Sequence, residues 1–291
     1  MKAKNKITYI SSLCLILGTS GCSLSSFPTT ESHACTIDQS TYQSVNALGV
    51  PVNDSNPLTC VENEGQEYFY IGSIDELVSF YQAYGIHGTQ TNLLWIDFRA
   101  DMDEIARRLN EVIPARFALS FSANHGAVES TLEILDPYYE DALMHAKSIA
   151  DEVRMTSSDP SEQMKIVHDY LLRTITYTNR GGNDGYDEAS DAFFSGLANC
   201  SGYSRAYSMI LRELEIPVLY VSSSTMDHAW NMGYDGMNYW YIDASLDDVS
   251  KKNKDDYITT DRDYFYDRHE LDLGESDQGY VKRMQNLYHL Q

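Results

Sequence analysis

Hydrophobic and polar positions change texture three times along this chain. Ile7 to Leu17 form a short apolar run, with Lys2, Lys4 and Lys6 before it and the small residues Gly18-Thr19-Ser20-Gly21-Cys22 after it. Residues 23–65 show no sustained period and are rich in Ser, Thr, Asn and Pro, the texture of a tether and loose lead-in. From Glu67 regular patterning begins. Tyr68-Phe69-Tyr70-Ile71 predicts a strand, Ser73 caps a helix to about Tyr84, and Leu93 to Phe98 predicts a second strand. Asp101 to Val112 reads as a second helix. Arg116 to Ser122 and Val128 to Leu135 read as two strands joined in a hairpin. This β-α-β-α-β-β series defines a small α/β domain at 66–136, with no residue pattern that signals chemistry.

A second block spans 137–291. Tyr138 to Arg154 predicts one helix. The next starts with Asp159 as N-cap, Pro160 in the first turn and Glu162 placed to close a capping box. Met164, Val167, Leu171 and Ile175 then recur at helical spacing and mark the face turned to the core. Asn179 to Glu188 is polar and reads as a plain surface loop, because its acids do not have the spacing of an EF-hand.

Composition is that of a globular protein, 43% hydrophobic and 22% charged, but the balance is acidic, with a formal charge of −22. The first 21 residues hold three lysines and no acid, so a chain beginning at residue 22 carries −25. Such a surface repels nucleic acid and anionic lipid headgroups, and neither is expected as a partner. The N-terminus reads as an export signal over 1–21. Its apolar run is shorter than the ~20 residues needed to span a bilayer. Gly21-Cys22 resembles the end of a bacterial lipobox, which implies acylation of Cys22 and a membrane-anchored lipoprotein at the cell envelope. An ordinary signal peptide cleaved nearby is the alternative. With Cys14 removed and Cys22 lipidated, Cys35, Cys60 and Cys200 remain. In an oxidising setting Cys35 and Cys60 can pair and tie down the lead-in, or else stay as two free thiols. Cys200 is the odd thiol.

Chemistry enters at that thiol. Tyr203, Ala206, Tyr207, Ile210, Leu211 and Leu214 follow at steps of three and four, which places Cys200 in the first turn of a helix. Free N–H groups and the positive helix end favour a thiolate there, and the same groups suit an oxyanion. Further on, His228 to Tyr234 and Met237 to Asp243 flank Asp235-Gly236, a hairpin signal. A two-residue turn pairs Tyr234 with Met237 and sets His228 directly opposite Asp243 on one face; a four-residue loop is expected to preserve this register and a three-residue loop to break it. Asp243 then orients an imidazole whose other nitrogen faces Cys200, giving nucleophile, general base and orienter. His168 reads as structural, and His269 receives no role.

Asn199-Cys200-Ser201-Gly202-Tyr203, His228-Ala229-Trp230-Asn231 and Tyr241-Ile242-Asp243 resemble the three motifs of bacterial transglutaminase-like proteins, in order and spacing. The likeness covers about residues 137–270. It departs at Leu246, where relatives often have Trp, and at Ser190, where an aromatic residue is common. The resemblance implies an α+β, papain-like fold, with a Cys-bearing helix packed on an antiparallel sheet that carries His and Asp. It implies a thiol enzyme forming an acyl-thioester on Cys200 from a protein or peptide amide, with no metal or organic cofactor. The N-terminal signal makes that enzyme an exported one, and hydrolysis is favoured over transamidation because no amine-recognition feature can be read. A non-catalytic envelope module binding a peptide or wall component in the same cleft is the alternative.

Overall fold

The four strands of the first patterned block join two from the stretch before it in a six-stranded mixed sheet. A computed structural model of the chain describes residues 33–35, 59–63, 65–83, 89–100, 102–124, 127–179, 185–250 and 257–290. The elements are β1 (His33–Ala34) and β2 (Thr59–Asn63), which correct the reading of 23–65 as tether and lead-in because both pair into this sheet, then β3 (Gln66–Ile71), α1 (Ile74–Ala83), β4 (Thr89–Ile96), α2 (Met102–Asn110), β5 (Phe117–Asn124) and β6 (Ala127–Ile134). Their spatial order is β1-β2-β3-β4-β6-β5. β3 and β4 run parallel, so α1 is the crossover that this direction requires. The β5–β6 hairpin pairs as far as Asn124 with Ala127, so the ladder reaches closer to the turn than the apolar pattern predicts. A disulfide joins Cys35 to Cys60 on β2. The expected leader, Cys22 and most of the tether lie outside the described residues. Among the described residues no helix is long and apolar enough to cross a membrane.

The second block contains α3 (Tyr139–Thr156), α4 (Pro160–Thr174), β7 (Thr176–Tyr177), α5 (Ala189–Ser195), β8 (Leu197–Ala198), α6 (Cys200–Glu213), β9 (Val218–Ser223), β10 (His228–Tyr234), β11 (Tyr239–Ile242), α7 (Ala244–Ser250), β12 (Ile258–Thr259), α8 (Arg262–Tyr266) and α9 (Asp277–Tyr288). An antiparallel sheet has the order β12-β11-β10-β9, and β7 pairs with β8 in parallel. Met164, Val167, Leu171 and Ile175 are all buried, which makes their face of α4 a core face. Its cap differs from the expected box. Asp159 accepts from the Glu162 N–H, but the Glu162 carboxylate accepts from Ser157 Oγ instead of reaching back to Asp159. Ser157 Oγ in turn accepts the Asp159 N–H. A hydroxyl two residues upstream has taken the place of the Glu in the box.

α6 is the central element, packed against β9 and β10 and against α3, α4, α5 and α7. Only Cys200, Ser201 and Arg212 of this helix escape burial. The two blocks join through charged and polar contacts. Glu111 meets Arg283 of α9, and burial lifts its carboxyl to about 7 despite the surrounding arginines. The Tyr220 N–H donates to the Glu111 carbonyl, and Arg116 grips Glu188 at the entrance to α5.

Trp230 lies fully buried in β10, against Phe265 and His269, and its Nε1–H has no hydrogen-bond partner among the described residues. Removing the whole side chain opens a cavity, whereas Phe keeps most of the volume and removes a buried, unsatisfied donor. In urea denaturation Trp230→Ala should lose about 3–5 kcal/mol and Trp230→Phe less than about 1.5 kcal/mol. Equal losses would show that the indole N–H is in fact satisfied.

Candidate active site

Cys200 is the first residue of α6. Asn199 caps the helix with its side-chain oxygen on the Gly202 N–H, 3.1 Å away. The thiol is free and half-buried. Its helix start is held from behind by the end of the segment that reads in sequence as a surface loop, and here that reading needs correction. The Tyr186 carbonyl accepts the Asn199 N–H, the Asp187 carbonyl accepts from Arg205, and Glu188 is buried. Glu188 accepts from Arg116 at 2.6 Å and lies 3.4 Å from Arg205. Burial raises its carboxyl although both arginines oppose the shift. Gly202 allows this wall to stand so close, since a Cβ there would lie 2.7 Å from the Tyr186 carbonyl oxygen. The glycine of the Asn-Cys-Ser-Gly run was the available signal for this approach.

His228 opens β10 and Asp243 follows β11. The pairing between these strands corrects the expected register. Tyr234 pairs with Tyr239 and Asn231 with Ile242, a shift of two residues from the two-residue turn. Asp235 causes it. Its carboxylate accepts from the N–H groups of Met237 (2.7 Å) and Asn238 (2.6 Å) and from the Trp240 indole (2.7 Å), which closes a four-residue loop. Continuing that register, Asp243 stands across from Trp230, and His228 is its diagonal neighbour. Because side chains alternate with period two, a two-residue shift leaves both on one face. A diagonal separation of about 7 Å is within reach of an imidazole. His228 Nε2 and Asp243 Oδ2 indeed lie 2.6 Å apart.

A carboxylate oxygen accepts, so Nε2 donates and Nδ1 is the nitrogen left for Cys200, which is near enough to act on the His228 ring. Cys200, His228 and Asp243 thus form one chain of contacts. Burial alone would push the His228 imidazole down. Hydrogen bonds to Asp243 and Cys200, and their charges, outweigh it and carry the group up to about 10. Burial would likewise raise the Asp243 carboxyl, but hydrogen bonds and charge from His228 and His269 hold it well below the usual carboxylate range. Its other oxygen, Oδ1, accepts from Ser245 Oγ (2.7 Å) and the Leu246 N–H (2.9 Å). Leu246, where a Trp was the familiar residue, therefore contributes through its backbone.

Two neighbours were not legible as part of this site. His269 Nε2 lies 2.9 Å from the same Asp243 oxygen. Tyr177, on β7 beside the strand that leads into Cys200, has its phenol in the field of Cys200, Asp243 and Asp227; burial first, and those charges next, keep it protonated. Neither follows a spacing rule from the three motifs. His168 sits apart, buried, with Nε2 2.9 Å from Asp247. His228, Asp243 and His269 bring their polar atoms within 4.8 Å of one another, and both short contacts in the group are hydrogen bonds.

Residues 147–244 match the family model of the transglutaminase-like superfamily. No curated protein matches the chain. Among solved structures, it is similar to the periplasmic domain of TgpA from Pseudomonas aeruginosa, with 18% identity, 41% of this chain and 55% of that chain covered, and a TM-score of 0.30. It is also similar to a TGase, with 14% identity, 65% and 56% covered, and a TM-score of 0.31. A candidate cysteine protease from Cytophaga hutchinsonii gives 14% identity, 55% and 68% covered, and a TM-score of 0.30. The chain spans little more than half the length of the first two. Cys200, His228 and Asp243 all fall inside the matched segment, and the chain carries a transglutaminase-like domain at residues 147–244.

Proposed function

We propose that the protein is a thiol-dependent enzyme that cleaves peptide or side-chain amide bonds through an acyl-thioester on Cys200. The observation that carries this reading is the His228–Asp243 hydrogen bond beside Cys200, which stands at the N-terminus of a helix. The Cys200 sulfur attacks the amide carbonyl, and the first-turn N–H groups and positive end of α6 suit the oxyanion that forms. His228 passes its Nδ1 proton to the departing amine, so the C–N bond breaks as the thioester remains. Water then attacks the thioester while His228 accepts its proton, which frees a carboxylic acid and restores the thiol. An amine in place of water gives a new amide. Hydrolysis is the favoured outcome, because water needs no binding feature. No cofactor enters these steps. Export and anchoring through Cys22 rest on the N-terminal sequence alone.

Iodoacetamide labelling of Cys200 against pH tests the reading, with His228→Ala beside the wild type. Fast labelling that persists well below pH 8 and is lost in the variant is the expected result. Slow labelling that rises only near an ordinary thiol pKa of about 8.5, unchanged in His228→Ala, would sink it in favour of a non-catalytic binding module.

A further inference from the structure

We infer that His269 is a positioning residue of this site, held as a buried imidazolium that shares the Asp243 carboxylate with His228. The inference rests on the reading of Cys200, His228 and Asp243 as catalytic, and extends it to a fourth group.

Hydrogen-bond directions carry the case. His269 is fully buried in its side chain, and both ring nitrogens face oxygen. Nδ1 lies 3.0 Å from the Phe265 carbonyl, which only accepts, so Nδ1 bears a proton. Nε2 lies 2.9 Å from Asp243 Oδ2. That carboxylate already accepts from Ser245, Leu246 and His228, and an ionised carboxylate has about four acceptor positions. Oδ2 can only accept, so the 2.9 Å contact at the fourth position requires His269 to donate through Nε2 as well. A ring donating from both nitrogens is an imidazolium.

The surroundings fix the ring in place. It stacks on Phe265 with centroids 3.8 Å apart and planes 7° apart, and meets Trp230 edge-on at 4.9 Å. The titratable groups that face it are Asp243 after β11, His228 on β10 at 5.8 Å between ring centroids, and the Tyr257 phenol ahead of β12 at 5.9 Å. Its sequence neighbours Arg268 and Glu270 are exposed. Only the carboxylate can balance the charge.

A second cation on Asp243 has a consequence for His228. Alone, the carboxylate would bind the His228 proton more tightly and make that ring a poorer acid toward the departing amine. Shared with His269, it still orients His228 but holds its proton less firmly. Loss of His269 as a charge should therefore move the His228 titration up. Loss of His269 as mere packing should loosen the His228–Asp243 contact and move it down toward about 6.5.

The test is ring-nitrogen NMR of the folded, histidine-labelled protein, with ring signals assigned through their couplings to the backbone and His269→Gln as the variant. Two ring N–H signals for His269 through neutral pH, together with a rise of about one pH unit in the His228 titration of the variant, are expected. A single ring proton on His269 in the wild type overturns the inference, and that measurement decides it even if the variant fails to fold. A folded variant in which His228 titrates unchanged or lower overturns it too. An unreactive Cys200 would defeat the proposed function instead, and leaves the His269 signals free to be read.

Discussion

Asp243→Asn should abolish rapid labelling of Cys200 near neutral pH. The asparagine keeps an oxygen for Ser245 and Leu246 but presents N–H where two histidines now donate. His228 must then turn to the tautomer with its proton on Nδ1, which cannot accept from the thiol. An ordinary thiol is ~1% thiolate at pH 6.5, so labelling there should fall about a hundredfold. Turnover of an amide, which also needs His228 as an acid, should fall by about 10⁴, the scale seen when a triad carboxylate loses its charge. Labelling at the wild-type rate would mean that Asp243 does not orient His228.

The same substitution should flatten the dependence of stability on pH, and the sign can be worked out group by group. The Asp243 carboxyl is depressed in the fold, so its contribution is present above about pH 4 and is lost as pH falls through the folded value. The His228 imidazole is raised to about 10, so its contribution is complete below about 6.5 and is lost as pH rises toward 10. The pair stabilises most between about pH 4 and 6.5. Denaturant midpoints across pH 3–10 should slope at both ends in the wild type and lose both slopes in Asp243→Asn.

Outside the triad, Gly202→Ala should do the most damage to the reactivity of Cys200. Its new Cβ would stand 2.7 Å from the Tyr186 carbonyl oxygen, 2.9 Å from Ala198 Cβ and 3.1 Å from the Glu188 carbonyl oxygen. Two of these are backbone atoms and cannot swing away. The first turn of α6 must move instead, and Cys200 moves with it. Overpacking of this kind costs about 1–3 kcal/mol. A displacement near 1 Å at a reacting group can cost about a hundredfold in rate. Thermal unfolding and iodoacetamide labelling should both report the change. A variant with wild-type melting and labelling would mean that the wall behind α6 yields freely.

These two substitutions divide along the line between what the chain reveals in sequence and what it does not. Cys200 at a helix start, the core faces of α4 and α6, and the strand carrying His228 all follow from local periodicity, which depends on neighbours three, four or two residues away. The two-residue turn places Asp243 in a register two residues away from the one the strands adopt. Asp243 still reaches the right face, because strand parity survives an even shift; an odd shift would have turned it away.

The rest depends on contacts between residues far apart in sequence. The Asp235 loop was set by which N–H groups one carboxylate could reach. Glu188 looked like part of a solvated loop because its own neighbours are polar, and only the approach of Arg116 and Arg205 makes it a buried strut. His269 follows a short polar turn that has no period to read, and a lone histidine there carries no signal. The fold places it on the free lone pair of Asp243, and that geometry, not the sequence around it, gives it a proton to hold.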